Sequence, residues 1–254
     1  INRMIATMPS IVNYWYKFSH EGIDIDLVND EDTMAGHFLH ILHGKEPSDL
    51  HRKVMDVSLI LYAEHEFNAS TFTARVCAST MSDIHSCVVA AIGSLRGPLH
   101  GGANEKAMEL IENWTSKEEA KSNIIEMLEK KEKVMGFGHA VYSIKDPRNA
   151  VIKDYAKQLS ELAENDTLYI VAEEVEKVMA DEKKMFANAD FFHAPAYFYM
   201  GIPTMLFTPI FVMSRVSGWA AHCMEQRSNN RIIRPSADYI GVETSDWVDI
   251  SERS

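Results

Sequence analysis

Apolar residues recur at helical spacing along most of this chain, and that periodicity restricts the fold more than any other feature of the sequence. Only residues 232–242 are patterned as an extended segment. No internal repeat and no low-complexity stretch is visible, so the sequence predicts an all-α fold. The predicted helices cover residues 1–19, 33–44, 49–63, 71–92, 104–114, 116–131, 149–162, 167–187 and 209–227.

The charge balance restricts the classes of ligand. The 254 residues include 37 acidic and 25 basic side chains, which gives a net charge of −12. A protein that binds nucleic acid usually presents a basic face, so this balance argues against that class. An anionic small substrate remains compatible with it, provided that arginines form a local pocket.

The cysteine content indicates a compartment. Cys77, Cys87 and Cys223 are widely spaced and form no CxxC pair, which does not suit a structural zinc site or a disulfide framework. We therefore expect a reducing, intracellular setting and predict a cytoplasmic location. No signal peptide is visible, and because the chain starts at Ile1 we expect a fragment, a processed form or part of something longer.

The longest uncharged stretch, residues 194–213, has the length of a membrane span. Pro195, Gly201, Pro203 and Pro209 interrupt it, and no aromatic or basic belt flanks it. We therefore predict a buried helix-turn-helix segment and no membrane partner.

Glycine and proline cluster at two breaks between predicted helices, residues 93–102 and 135–147. The first break places His100 just ahead of a helix N-terminus, whose positive dipole end lowers the pKa of an imidazole. A neutral imidazole there can donate a hydrogen bond to a carbonyl oxygen on which negative charge develops. His100 is thus a candidate catalytic residue, and the alternative is a histidine that caps a loop.

The second break contains Gly136, Gly138 and His139, followed by Asp146 and Arg148. The third glycine of a dinucleotide-binding motif is absent, and no strand precedes the segment. A histidine and an arginine around a turn can jointly hold an oxygen-rich acid, because an arginine binds a carboxylate in a bidentate manner. The alternative is a surface loop with an ion pair between Asp146 and Arg148.

Three further charged residues lie in apolar surroundings. Asp190 stands beside two phenylalanines, and burial there would raise its pKa toward that of a useful general base. The alternative role for Asp190 is an N-cap. Arg215 and Arg234 each need a partner, which is either a protein carboxylate or an anionic ligand.

Three histidines, His37, His40 and His43, have three-residue spacing on one predicted helix. This spacing drifts around the helix, and no acidic residue nearby completes a metal site. His65-Glu66 does not extend to an HExxH motif. We therefore expect these histidines to pack in a helix interface and predict no metal site.

The order and wording of the motifs resemble one family. GPLHGGANE, GFGHAVY with DPR, NADFF, SRVSGWAAH and RPSADY follow one another as in citrate synthases, and the resemblance runs along essentially the whole chain. GHFLHILHG, LYAEHEFNASTFTARV and RPSADYIG are more similar to the 2-methylcitrate synthase branch. The resemblance implies a large and a small helical domain: residues 1–100 and 197–254 would belong to the large domain and residues 101–196 to the small one. The family's N-terminal part is missing.

The same resemblance implies a role for each site residue. Asp190 would remove an α-proton from the acyl group, His100 would donate to the thioester oxygen, and His139 would polarise the oxaloacetate carbonyl. Ser70 would orient His100. The remaining oxaloacetate-binding residues would be His65, Arg148, Arg215, Arg234 and Phe211.

Further implications concern the partners. Arg234 would reach the site of a neighbouring subunit, which implies a homodimer. The segment that would bind CoA comprises Lys133, Val134, Met135, Gly136, Phe137 and Gly138. The sequence departs from the family at Ser143, where some relatives place an arginine for a CoA phosphate; Lys145 is a looser substitute. His193-Ala194-Pro195 also differs from the family's usual small residues.

The implied activity is an acyl transfer that converts the acyl group into an alkyl group. Propionyl-CoA, the preferred donor, would condense with oxaloacetate and water to give 2-methylcitrate and CoA, with no permanently bound cofactor and a place in propionate catabolism. The alternative is a citrate synthase of the tricarboxylic acid cycle that uses acetyl-CoA. These donors differ by one methyl group, which a pocket discriminates by only about 1–3 kcal/mol, so we expect dual activity. A non-catalytic relative that binds the same ligands, and a helical membrane or scaffold protein, are the rivals from other classes.

Overall fold

The computed structural model describes residues 1–244 and 246–253. Within them, eleven α-helices account for the regular structure, together with short π- and 3₁₀-helical turns, and no β-strand occurs. The all-α prediction is therefore confirmed. The helices are α1 (Asn2–Tyr16), α2 (Met34–His43), α3 (Asp49–Tyr62), α4 (Ala69–Ser79), α5 (Ile84–Leu95), α6 (Ala103–Ile111), α7 (Lys117–Glu129), α8 (Pro147–Leu162), α9 (Thr167–Lys183), α10 (Ala189–Tyr199) and α11 (Phe207–Ser228).

Capping residues explain where these helices begin and end. Thr33 accepts a hydrogen bond from the Gly36 amide at the start of α2, and Gly44 ends that helix with a left-handed φ of 65°. Ser116 caps α7 by accepting from the Glu119 amide. The Glu119 carboxylate accepts from the Thr115 amide. Local side-chain caps and a left-handed glycine therefore set the ends of these helices.

The single helix predicted over residues 71–92 is wrong, because α4 and α5 are separate helices. Met81 takes a left-handed φ of 68°, which turns the chain after α4. Asp83 then accepts hydrogen bonds from the His85 and Ser86 amides and starts a new helix. An aspartate in an otherwise apolar stretch was the signal for this break.

Two other predictions need adjustment. The helix predicted over residues 167–187 ends at Lys183, since the following residues bond to the loop before α8. The segment 232–242, predicted to be extended, has no regular secondary structure and pairs with no strand in the part of the chain that the structure describes.

The helices form two packed groups. Helices α1–α5 pack mainly with one another and with α11, whereas α6–α10 pack mainly among themselves. Trp219 on α11 and Phe191 on α10 are fully buried, each in the core of its group.

The stretch 194–213 is the end of α10, a turn and the start of α11, as predicted. No helix in the described residues is long and apolar enough to cross a membrane.

The N-terminal ends of four helices position the candidate residues. Ser70 lies in the first turn of α4, Arg148 in that of α8 and Asp190 in that of α10, and His100 precedes α6. The unpaired amides and the dipole at such ends favour negative charge. The fold thus brings several electropositive helix ends to one place, and this is where the cavity lies.

Candidate active site

One cavity of about 1150 Å³ lies between the two groups of helices. This volume suits a ligand at least as large as a typical small molecule. Most of the residues singled out in the sequence line it: His65, His100, Lys133, Val134, Met135, Gly136, Phe137, Gly138, His139, Arg148, Asp190, Phe211 and Arg215.

His100 is held by Ser70 at the start of α4. The Oγ of Ser70 lies 2.8 Å from Nε2 of His100, and the Ser70 amide donates to the same nitrogen at 3.4 Å. We assign Nε2 as the acceptor of the Ser70 amide, which places the proton of the neutral ring on Nδ1. Trp219 holds Ser70 in turn, since its Nε1–H donates to Oγ at 3.1 Å.

The imidazole of His100 is neutral at physiological pH. Burial lowers its pKa to about 4, and the positive charge of Arg215 adds to the effect. The helix dipole was the cause inferred from the sequence, whereas the structure adds desolvation and the charge of Arg215. A neutral histidine with its Nδ1–H free is a hydrogen-bond donor and a poor general acid at the start of a reaction.

Burial shifts the pKa of Asp190 upward, whereas it shifts the pKa of His100 downward. Burial raises the pKa of its carboxyl to about 6, although a hydrogen bond from Tyr62 and the charges of Arg148 and Arg215 act in the other direction. The hydroxyl of Tyr62 donates to Oδ1 at 2.8 Å. Asp190 is not the N-cap of α10, because Asn188 occupies that position and accepts from the Asp190 amide. A carboxylate with this pKa is a competent base near neutral pH.

His139 lies in the loop before α8 with its tautomer fixed. Its Nδ1 accepts from the amides of Val141 and Tyr142, at 3.0 and 3.1 Å. Burial and the charge of Arg148 lower its pKa, so the ring is neutral and has its proton on Nε2. That Nε2 lies 3.4 Å from Nη2 of Arg148. Both Nε2 of His139 and Nη2 of Arg148 are hydrogen-bond donors, so a ligand oxygen that accepts from both would satisfy them.

Arg148 is oriented by Asp146, whose side chain is fully buried. Nε and Nη2 of Arg148 donate to the two carboxylate oxygens at 3.0 and 2.8 Å. The Ala189 amide donates to the same carboxylate at 3.0 Å, so Asp146 joins the start of α8 to the start of α10. Burial alone would raise the pKa of Asp146, but these hydrogen bonds hold it below its usual value. The ion pair that was the alternative prediction is present, and it orients Arg148 within the cavity wall.

Arg215 is almost completely buried on α11. Its Nε donates to the carbonyl oxygen of Tyr62 at 2.6 Å, and its guanidinium lies 4.7 Å from the centre of the Phe211 ring. Its Nη1 has no hydrogen-bond partner within residues 1–244 and 246–253. No carboxylate among the described residues forms an ion pair with it. Burial and the charge of Arg148 lower its pKa to about 10, so it still has its charge at neutral pH. An anionic ligand in the cavity would supply the missing partner.

His65 extends this polar wall. Its ring stacks on that of His139 with centroids 4.8 Å apart, and its Nε2 is buried without a partner. Burial lowers the pKa of His65 first, and Arg148 and His139 lower it further. Both neutral histidines therefore lie beside two arginines, an arrangement suited to a small acid with several oxygens.

Segment 133–138 lies on the other side of Asp190. The Gly136 carbonyl accepts from the Asn188 amide at 2.9 Å, and the Gly138 carbonyl accepts from the Asn188 side chain at 3.0 Å. Gly136 has a φ of 87°, and a Cβ there would clash with Phe191. The segment is therefore fixed to the start of α10 and forms the wall of the cavity next to the candidate base.

Arg234 does not join the other candidates. It is exposed in the segment that follows α11 and is absent from the cavity wall. Lys145 is likewise exposed and outside the cavity, whereas Lys131, Lys133 and Lys183 lie along it.

Sequence reasoning missed Tyr62, Trp219 and the structural role of Asp146. The Asp-Pro-Arg order was a signal for a capped helix, and it could have identified Asp146 as the N-cap of α8. For Tyr62 and Trp219 no local signal exists, because their partners lie 128 and 149 positions away in the chain. The three histidines of α2 do not approach one another as ligands: His37 bonds to Ser10 and Asn29, and His40 to Glu31.

Comparisons with known proteins agree with this geometry. The profile of the family described as "Citrate synthase, C-terminal domain" matches residues 1–236. The 2-methylcitrate synthase of Shewanella oneidensis is 64% identical over 252 residues, which make up 99% of this chain and 67% of that protein. Citrate synthase 2 of Bacillus subtilis is 45% identical over 252 residues, 99% of this chain and 68% of that protein.

A solved structure shows the same fold. Citrate synthase from Thermoplasma acidophilum, in a ternary complex with carboxymethyl coenzyme A and oxaloacetate, superposes with a TM-score of 0.91 and 33% identity, covering 98% of this chain and 68% of that one. The chain thus spans about two thirds of the length of these relatives. The resemblance drawn from the motifs is confirmed, and the chain belongs to the citrate synthase family.

Proposed function

We propose that this chain contains the active site of an enzyme that condenses propionyl-CoA with oxaloacetate and water to give 2-methylcitrate and CoA. One observation carries the proposal: a carboxylate whose pKa burial raises to about 6 faces the same cavity as three neutral histidines and two arginines. Removal of a weakly acidic α-proton needs such a base and a donor that stabilises the enolate oxygen.

Oxaloacetate would occupy the wall formed by His65, His139, Arg148 and Arg215. Arg215 offers an Nη1 without a partner, and Arg148 is held in place by Asp146. Two fixed guanidinium groups suit the two carboxylates of a dicarboxylic acid. Phe211, beside Arg215, supplies an apolar surface against the carbon skeleton.

His139 would polarise the ketone of oxaloacetate. Its Nδ1 is occupied by two backbone amides, so Nε2–H is the group that can donate toward the cavity. The ketone oxygen would lie between this donor and Nη2 of Arg148 and resolve the donor–donor contact described above. As a carbon–carbon bond forms at the carbonyl carbon, the same donors would stabilise the developing alkoxide.

Asp190 would remove an α-proton of the acyl group while Nδ1–H of His100 donates to the thioester oxygen. The proton passes to the Asp190 carboxylate, and the C–H electron pair forms the enolate, whose oxygen accepts the hydrogen bond from His100. The enolate carbon then attacks the ketone carbon, and the alkoxide that forms takes a proton from water and becomes a tertiary alcohol. Water finally attacks the thioester carbonyl, and CoA leaves as the thiol.

The acyl-CoA would approach along segment 133–138, which lies next to Asp190. The segment lines the cavity and contains two left-handed glycines, which let a pantetheine arm approach its backbone closely. We assign the phosphates of CoA to the lysines along this cavity, Lys131, Lys133 and Lys183, because the residue expected from the sequence, Lys145, lies outside it. The acyl-CoA is a substrate, and the proposed chemistry requires no further cofactor.

We also propose a homodimer in which Arg234 completes the site of the partner subunit. Its exposure and its position outside the cavity of its own chain support this arrangement. We further propose that residues 101–196 act as the small domain and close over oxaloacetate, since α6–α10 pack mainly among themselves. Three free thiols support a cytoplasmic location, and the reaction would belong to propionate breakdown.

The second candidate is condensation of acetyl-CoA to citrate, because several relatives of 45% identity or less are citrate synthases. The test follows release of the CoA thiol in the presence of oxaloacetate and compares kcat/KM for propionyl-CoA and acetyl-CoA. A preference for propionyl-CoA is expected. A preference for acetyl-CoA would establish the second candidate, and no release with either donor would contradict both.

A further inference from the structure

Tyr62 occupies the centre of the site although the roles set out above leave its side chain unused. Its hydroxyl donates to Oδ1 of Asp190 at 2.8 Å, and its carbonyl oxygen accepts from Nε of Arg215 at 2.6 Å. One residue at the end of α3 therefore contacts both the candidate base and a candidate substrate-binding arginine.

The ring of Tyr62 is rigidly packed. It is 1% exposed and lies between His193 and Phe211, with ring centroids at 4.2 and 4.1 Å. Both neighbours are themselves buried. A side chain enclosed in this way cannot change rotamer without moving two other rings, so its hydroxyl has a fixed position.

The two oxygens of Asp190 are not equivalent. Oδ1 accepts from Tyr62, whereas Oδ2 accepts no hydrogen bond from any residue that the structure describes. Asp190 also lines the cavity. An oxygen without a hydrogen bond is the more basic of the two, and it is the one left to meet the substrate.

We propose that Tyr62 is a positioning residue for the base: its hydroxyl fixes Oδ1 of Asp190, so that Oδ2 is the oxygen that takes the α-proton of the acyl group. This inference rests on the proposed function and deepens it. The transfer itself is balanced within the site, since the proton moves from the α-carbon to Oδ2, the C–H electrons form the enolate, and Tyr62 keeps its own proton.

The electrostatic surroundings support this role. Burial raises the pKa of Tyr62 well above its usual value, and the negative charge of Asp190 raises it further, so the hydroxyl remains a donor. The charged and titratable groups that act on Asp190 are Tyr62 on α3, Arg148 at the start of α8, Arg215 on α11 and Asp146 before α8. Tyr197 on α10 is also near, since burial and then the charge of Asp190 raise its pKa, but it makes no hydrogen bond to Asp190 among the described residues. Of these groups, Tyr62 lowers the pKa of Asp190 most. Without its hydrogen bond, burial would raise this pKa further.

The test compares Tyr62→Phe with Tyr197→Phe. Tyr197 is a matched control, because it is also fully buried, lies on the same helix as Asp190 and donates to or accepts from Ser58 at 2.6 Å rather than Asp190. Steady-state kinetics with propionyl-CoA and oxaloacetate would give kcat, both KM values and the pH dependence of kcat/KM. The isotope effect with propionyl-CoA deuterated at the α-carbon would report on the proton transfer.

Tyr62→Phe is expected to lower kcat roughly 10- to 100-fold, the loss typical of a hydrogen bond to a charged group. The KM for oxaloacetate should stay within about threefold, because the Tyr62 carbonyl that holds Arg215 is retained. The acid limb of the pH profile, where kcat/KM falls as Asp190 becomes protonated, should move up by about one pH unit. The isotope effect should increase. Tyr197→Phe should leave the limb and the isotope effect as in the wild type.

Two results would overturn the inference. One is a Tyr62→Phe enzyme with wild-type kcat and acid limb; the other is an equal loss in both variants without a shift of the limb, which indicates a structural role. If Tyr62→Phe does not fold, a fluorinated tyrosine at position 62 keeps the packing and donates more strongly, and the limb should then move down; an unmoved limb would contradict the proposal. A wild-type enzyme that releases no CoA would instead contradict the proposed function.

Discussion

Oγ of Ser70 lies 2.8 Å from Nε2 of His100 although the two residues are 30 positions apart in the sequence. Ser70 belongs to the first turn of α4, and His100 belongs to the loop before α6. The amide of Ser70 donates to the same nitrogen at 3.4 Å, and on this basis we assign the proton of His100 to Nδ1, the nitrogen that can donate toward a substrate.

Replacing Ser70 by alanine tests this contact. The variant should lose roughly 10- to 100-fold in kcat, because His100 loses the group that fixes its ring. It should also lose about 1–3 kcal/mol of stability, since the buried Nε1–H of Trp219 is left without a partner. Steady-state kinetics and urea unfolding would check both values. Ser160→Ala is the matched control, because Ser160 is equally buried but bonds only within α8; an equal loss of kcat in both variants would contradict the orienting role of Ser70.

The pH dependence should follow Asp190. Its carboxyl has a pKa raised to about 6 by burial, and it must be ionised to act as a base. The value of kcat/KM should thus fall about tenfold per pH unit below pH 6, whereas His100, with a pKa of about 4, stays neutral over most of that range. Asp190→Asn should lower kcat about 10²–10⁴-fold and keep most of the affinity for oxaloacetate. Near-normal turnover by this variant would remove Asp190 from the role of base.

Gly218→Ala should weaken binding of oxaloacetate. A Cβ at this position of α11 would lie closer than 3.0 Å to the carbonyl oxygen of Ala63, in the turn that leads to His65. We expect an increase in KM for oxaloacetate and a loss of about 1–3 kcal/mol in the free energy of unfolding, because neither backbone can yield without strain. Gly93→Ala in α5 is the control, since a Cβ there meets nothing within 4 Å among the residues that the structure describes. An unchanged KM in Gly218→Ala would show that the turn tolerates the displacement.

His193 should make the protein less stable in acid. Burial lowers its pKa to about 3 in the folded state, whereas an unfolded histidine titrates near 6.5. Between these values the unfolded chain binds a proton that the folded chain does not. The free energy of unfolding should therefore decrease as the pH falls from about 6.5 toward 3, by up to about 1.4 kcal/mol per pH unit from this one group.

Urea unfolding of the wild type and of His193→Leu at several pH values would check this slope. The variant is expected to lose less stability per pH unit over the same window, because one buried neutral histidine is gone. Identical slopes for the two proteins would mean that His193 does not contribute.

Arg234 can be tested by subunit complementation. Arg234→Ala and Asp190→Asn should each be nearly inactive alone. Arg234→Ala lacks the arginine that would enter the partner's site, and Asp190→Asn lacks the base. If Arg234 acts across a dimer interface, mixed dimers would contain one site with both residues and should recover up to about half of the wild-type activity per mixed dimer. Co-expression with two different affinity tags would isolate the mixed species. No recovery, with the dimer intact, would contradict a shared site.

The sequence by itself determined the all-α class, because apolar periodicity and capping residues act locally and need no knowledge of distant partners. It also predicted His100, His139, Arg148, Asp190 and Arg215 as candidate site residues, because their residue types are unusual in their loops or apolar surroundings and follow one another in the family's order. The fold brings these five residues to one cavity. The break between α4 and α5 was missed, although Asp83 marked it, because the apolar residues on both sides continued the pattern.

Only the tertiary structure decided how these residues act. Desolvation depends on what packs around a group, so the raised pKa of Asp190 and the lowered pKa of His100 arise from burial that no short segment of sequence encodes. The tautomers of His100 and His139 depend on amides that the fold places opposite one ring nitrogen. Tyr62 and Trp219 have no local signature at all, because their hydrogen bonds join helices that are far apart in the chain and meet only when the core is packed.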